Sequence, residues 1–124
     1  MALFALLARL RQRFGDDLLR VVLFGSKARG DYHEESDLDL LIVLRMDRDS
    51  FKTNREQIIN TMWEIEIEYD VVISLILKSE ETFAQMQADG LLLYRNIAEE
   101  GIPLWTSLPN EPTFASTWKE REMI

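Results

Sequence analysis

Val21-Val22-Leu23-Phe24-Gly25-Ser26-Lys27-Ala28-Arg29-Gly30 and, a few residues on, Ser36-Asp37-Leu38-Asp39-Leu40-Leu41-Ile42-Val43-Leu44 form one readable unit. The apolar run that ends at Phe24 reads as a buried strand. At Gly25-Ser26 the backbone must turn, and a short helix can begin. A helix start offers unpaired N–H groups and a partial positive charge, which together suit a phosphate. Gly25 has no side chain to hold a ligand off the backbone. Ser26 adds a hydroxyl, and Lys27 and Arg29 add positive charge within one turn. Arg29 is the better phosphate ligand of the two, because a guanidinium grips two oxygens at once. Its rival role is a salt bridge with Asp31 or Glu35.

The second run supplies the opposite charge. Asp37 and Asp39 are two residues apart, so a strand puts both carboxylates on one face. Side by side they repel unless a cation sits between them. Asp39 lies inside an apolar run, where an uncompensated charge is costly. That weighs against the other reading of the pair, a turn followed by a helix cap. A hard divalent ion such as Mg2+ prefers carboxylate oxygen and usually brings substrate phosphates with it.

The 124 residues bound the rest. This length holds one domain with a real core. The absence of cysteine excludes disulfides and thiolate metal sites, and the single His33 excludes an imidazole cluster. His33 itself reads as an exposed loop residue near the site, with a contact to nucleotide or acceptor as its rival role. The net charge of −8 argues against an extended nucleic-acid surface, which needs a basic face. A nucleotide carried with a metal ion remains compatible, since the ion reverses the local sign. Met1–Leu10 is too short to span a bilayer and is followed by arginines, so a cytoplasmic protein with no membrane contact is expected.

Leu3, Leu7, Leu10 and Phe14 recur at helical spacing, with Leu6 beside them, predicting an amphipathic helix stopped at Gly15. Leu18–Phe24 and Leu38–Leu44 are the first two strands. Asp49 or Ser50 is expected to cap a long helix whose buried side carries Phe51, Ile58, Ile59, Met62 and Ile65. Glu64-Ile65-Glu66-Ile67-Glu68-Tyr69 fits both a helix and an alternating strand, and the helix is expected to end near Glu66. Asp70–Leu77 reads as the third strand. Ser79 is placed to cap a helix that ends near Gly90. Leu91–Glu100 reads as a further helix, and Ile102-Pro103-Leu104-Trp105 as a short edge strand, where proline is tolerated. Residues 1–106 are thus expected to form the domain, and 107–124 a tail that can dock on a partner.

Gly25-Ser26, ten intervening residues and Asp37-Leu38-Asp39 resemble the signature of the nucleotidyltransferase superfamily that includes DNA polymerase beta. The fuller pattern, Phe24-Gly25-Ser26-Lys27-Ala28-Arg29-Gly30 with Ser36-Asp37-Leu38-Asp39-Leu40, is similar to the minimal nucleotidyltransferases (MNT) of bacteria and archaea. The resemblance implies an α/β (α+β) fold, a small mixed sheet flanked by helices with the site at an open edge. It implies Gly25, Ser26 and Arg29 on the nucleotide, and Asp37 and Asp39 on Mg2+. It also implies a third acid at the start of the next core strand, joining a second ion and the acceptor hydroxyl. Asp70 is expected in that role because the apolar run begins directly after it, with Glu68 as a competitor of the same parity.

The activity so implied is transfer of a nucleoside monophosphate, AMP from ATP, to a partner protein. For this group the partner is a HEPN-domain protein and the pair a toxin–antitoxin system. A small hydroxylated acceptor such as an aminoglycoside is a second enzymatic reading, although those enzymes usually carry an added helical domain. A subunit that acts only by forming a complex is a third. The nucleotide preference and any homo-oligomer are left open.

Overall fold

The computed structural model describes residues 2–25 and 37–107. In order these form helix α1 (Ala2–Phe14), a 3-10 turn (Gly15–Asp17), strands β1 (Leu18–Phe24) and β2 (Leu38–Leu44), helix α2 (Arg48–Tyr69), strand β3 (Ile73–Ser79), helices α3 (Glu80–Asp89) and α4 (Leu92–Glu100), and strand β4 (Ile102–Thr106). The strands make one mixed sheet in the order β3-β2-β1-β4. β1 runs antiparallel to β2 and β4, whereas β2 and β3 are parallel. A parallel pair cannot be joined by a hairpin, and α2 is the crossover. The α/β architecture with helices flanking a small mixed sheet is the one expected.

β1 and β2 occupy the middle of the sheet, which accounts for their unbroken apolar runs: both faces are covered. On one face Val21, Leu23, Leu40, Ile42 and Leu44 pack with Leu6 and Leu10 of α1 and with Ile58, Met62 and Ile65 of α2. On the other, Leu19, Val22, Leu41 and Val43 pack with Phe83 of α3 and Ile97 of α4. A register shift against β2 between Leu18 and Arg20 breaks the alternation, so Leu19 shares a face with Val22. Each fully buried leucine contributes roughly 1.5–3 kcal/mol. At the far edge, Trp105 donates its indole N–H to the Leu18 carbonyl (3.1 Å) and lies under the Arg11 guanidinium, tying β4 to α1. Pro103 sits on this edge strand, as the sequence suggests.

Four local expectations shift. The cap of α2 is Asp47, not Asp49 or Ser50; its carboxylate accepts from the Ser50 N–H at 2.9 Å. That side-chain contact to Ser50 holds the Asp47 carboxyl below its ordinary range. α2 also runs to Tyr69, past Glu66, because Ile58, Met62 and Ile65 keep one face buried and Arg9 of α1 pairs with Glu64 (3.3 Å) and Glu68 (3.1 Å). Phe51 and Ile59, expected inside, are exposed. Finally, β3 opens at Ile73 rather than Asp70. Ser79 does cap α3, accepting from the Thr82 N–H at 3.1 Å, and Gly90 ends that helix. Among the described residues no helix is long and apolar enough to cross a membrane. The tail expected over 107–124 falls, but for Ser107, outside the described residues.

Candidate active site

β1 delivers its last residue, Phe24, opposite Asp39 of β2. The next residue, Gly25, adopts φ +78°, a conformation that side chains disfavour. A Cβ built there would overlap Asp39 Oδ2 and sit 3.2 Å from its Cγ. The glycine turn therefore lies directly against the Asp39 carboxylate, in a space that any other residue would fill. The sequence reading proposes a glycine to admit a ligand; its absent side chain first of all makes room for Asp39.

Asp37 stands just outside β2, two residues before Asp39 and on the same side of the strand. That side carries Leu41 and Val43, whose cluster packs under α3 and α4. Asp37 is exposed, and its Oδ2 accepts a hydrogen bond from Ser74 Oγ at 3.2 Å. The parallel register sets Ser74 opposite Asp39, and the Leu38 N–H between the two acids donates to the Val72 carbonyl at 2.8 Å. Ser74 thus joins the site, although the sequence reading passes over it. Its signal was a lone hydroxyl within the apolar run Val71–Leu77.

Both candidates for a third acid belong to α2. Asp70 is exposed and forms the left-handed end of α2 (φ 53°, ψ 52°), its N–H donating to the Glu66 carbonyl. Aspartate tolerates this region better than most residues. Glu68 is on α2 and bonded to Arg9 of α1. Among the described residues no group of three or more His, Asp or Glu side chains gathers as a metal site. Ser26 and Arg29, like Lys27 and His33, lie outside the described residues.

Two carboxylates on one strand face, with a turn lacking Cβ against one of them, fit a hard cation whose other ligands are substrate phosphate and water. Among the described residues no third acid joins this pair.

The fold and this pairing of a glycine turn with two strand acids define a nucleotide-transferring domain. Residues 5–104 match the nucleotidyltransferase domain family, and the chain belongs to it. A protein of Methanocaldococcus jannaschii named "Putative protein adenylyltransferase MJ0604" is 38% identical over 96 residues, spanning 77% of this chain and 87% of that one. Among solved structures, one described as a putative nucleotidyltransferase from Sulfolobus solfataricus aligns with a TM-score of 0.56 at 19% identity, over 87% of this chain and 80% of the other. Another, described as a toxin-antitoxin with AMP-PNP, aligns with a TM-score of 0.55 at 18% identity, over 95% and 85% of the two chains. These structural likenesses show the fold.

Proposed function

We propose that this chain transfers AMP from ATP to a hydroxyl of a partner protein in a Mg2+-dependent reaction. Asp37 and Asp39 are the residues that would hold the ion, which when bound offsets phosphate charge and polarises the reacting phosphate. Gly25 brings the backbone to the nucleotide's phosphates, with Ser26 and Arg29 as further triphosphate ligands. The acceptor oxygen bonds to the α-phosphorus, the α–β P–O bond breaks, pyrophosphate leaves, and the hydroxyl proton passes to solvent. The protein's part is positioning and charge compensation. In this reading the partner is a HEPN-domain protein, the two forming a cytoplasmic toxin–antitoxin pair. Support comes from the relative named an adenylyltransferase of proteins and from the fold-neighbour described as a toxin-antitoxin with AMP-PNP.

The observation that carries the reading is Gly25 against Asp39, with Asp37 on the same strand face. Incubation with α-labelled ATP, Mg2+ and the protein encoded next to this chain tests it. Label on that protein, lost in an Asp37→Asn/Asp39→Asn variant, is the expected result. A labelled partner with the variant as active as the parent would refute it.

One observation favours a second reading, a subunit that acts by binding alone: no third acid gathers with Asp37 and Asp39 among the described residues. A pure binder would neutralise its partner equally well after Asp37→Ala and Asp39→Ala, and no label would move.

A further inference from the structure

We infer that the outer face of the C-terminal half of α2 docks a partner protein that presents apolar side chains ringed by lysine and arginine. The inference rests on the reading that the acceptor is a protein. Ile59, Trp63 and Ile67 are spaced four residues apart and so form one stripe along the helix. They are 36%, 63% and 64% exposed, while Ile58, Met62 and Ile65 of the same helix are in the core. Val72, beyond the left-handed end of the helix, is 55% exposed. A contiguous exposed patch of this kind marks an interaction surface, and tryptophan is the residue type that most often anchors one.

The charges around the stripe select the occupant. Glu64 and Glu68 flank it on the side of α1, where Arg9 is the basic group paired with them. Glu66 lies on its other flank and Asp70 at its end, while Arg55 and Glu56, one turn before Ile59, offset each other. From Trp63 to Val72 the chain carries four acids and no base. A second copy of this chain would bring acid against acid, on a chain of net charge −8. Like charges facing each other across an interface disfavour pairing, and opposite charges steer it. A heterologous partner with a basic rim therefore fits.

Just past α2 the chain meets the start of β2. The Val72 carbonyl takes the N–H of Leu38, the residue between Asp37 and Asp39. α2 covers the opposite face of the sheet from Asp37 and Asp39, so the stripe is a docking surface separate from the two acids.

The test titrates the full chain against the protein encoded next to it, by calorimetry. Trp63→Ala/Ile67→Ala should weaken binding at least tenfold, as expected of hot-spot residues. Glu56→Lys/Glu66→Lys should weaken it too and reduce its salt dependence. Both sets change exposed side chains, and unchanged melting with unchanged ATP-analogue binding verifies that the fold and site survive. Asp37→Asn/Asp39→Asn should bind the partner as the parent does while transferring no label. That separates the two claims: a complex that forms through the stripe but transfers nothing overturns the transfer reading alone. The docking inference is overturned if the Trp63/Ile67 variant binds as tightly as the parent. It is equally overturned if the parent fails to bind, if the parent self-associates through the stripe, or if removal of 108–124 exposes Trp63 further and shows the tail to be the occupant.

Discussion

Replacing Gly25 by alanine isolates what the glycine turn does. At φ +78° an L-residue sits in a strained region, which costs about 1–2 kcal/mol. Its methyl also overlaps the Asp39 carboxylate, so Asp39 must move. A displacement of about 1 Å at a reacting centre can cost on the order of 100-fold in rate. Gly15→Ala is the matched control: φ is +54°, but nothing lies within 4 Å of the added methyl. Both variants should lose stability in urea by about 1–2 kcal/mol from backbone strain. Only Gly25→Ala should also lose AMP transfer, by about 100-fold. Equal transfer by the two variants would refute the claim that the turn and Asp39 work as one unit.

Ser74→Ala removes the hydroxyl that orients Asp37, and the Mg2+ concentration for half-maximal transfer should rise about tenfold, as for other supporting groups around a metal; an unchanged Mg2+ curve would show the bond to be incidental. Asp70→Gly places at the end of α2 the residue that best suits φ 53°, so denaturation should show a gain of about 1 kcal/mol with transfer retained; a 100-fold loss would restore Asp70 as the third acid. Asp47 has a carboxyl lowered by its contact with Ser50 from the ordinary 3.8, so its contribution to stability is present above that value and is lost as pH falls through the lower folded one. In an acid titration of the melting temperature Asp47→Asn should therefore show a shallower decline below about pH 4 than the parent.

Much of this was legible in the chain. Val21–Phe24 reads as a buried strand because a continuous apolar run leaves few other options, and with Leu38–Leu44 it lies in the sheet's central pair. Ser79 and Gly90 marked the ends of α3 because capping is local chemistry. What failed was decided by tertiary contacts. Whether Glu64–Tyr69 continues the helix depends on α1, whose Arg9 lies 55 residues away from Glu64. The side of α2 that is buried depends on where the sheet lies, so Ile59 was misplaced although the period was right, and Phe51 shares the buried side's period but is exposed near the helix start. Asp70 looked like the first residue of a strand because valines follow it. It is the left-handed end of a helix instead, a role that aspartate shares with glycine and asparagine. The pairing of Asp37 with Ser74 needs the β2–β3 register, which no local pattern encodes.

The central claim is that Asp37 and Asp39 hold a nucleotide through a divalent ion beside the Gly25 turn. Calorimetric titration of the parent and of Asp37→Asn/Asp39→Asn with a non-hydrolysable ATP analogue, with and without Mg2+, tests it directly. Binding by the parent that requires Mg2+ and is lost in the variant is the expected result. The same affinity in both proteins, whether or not Mg2+ is present, would contradict it.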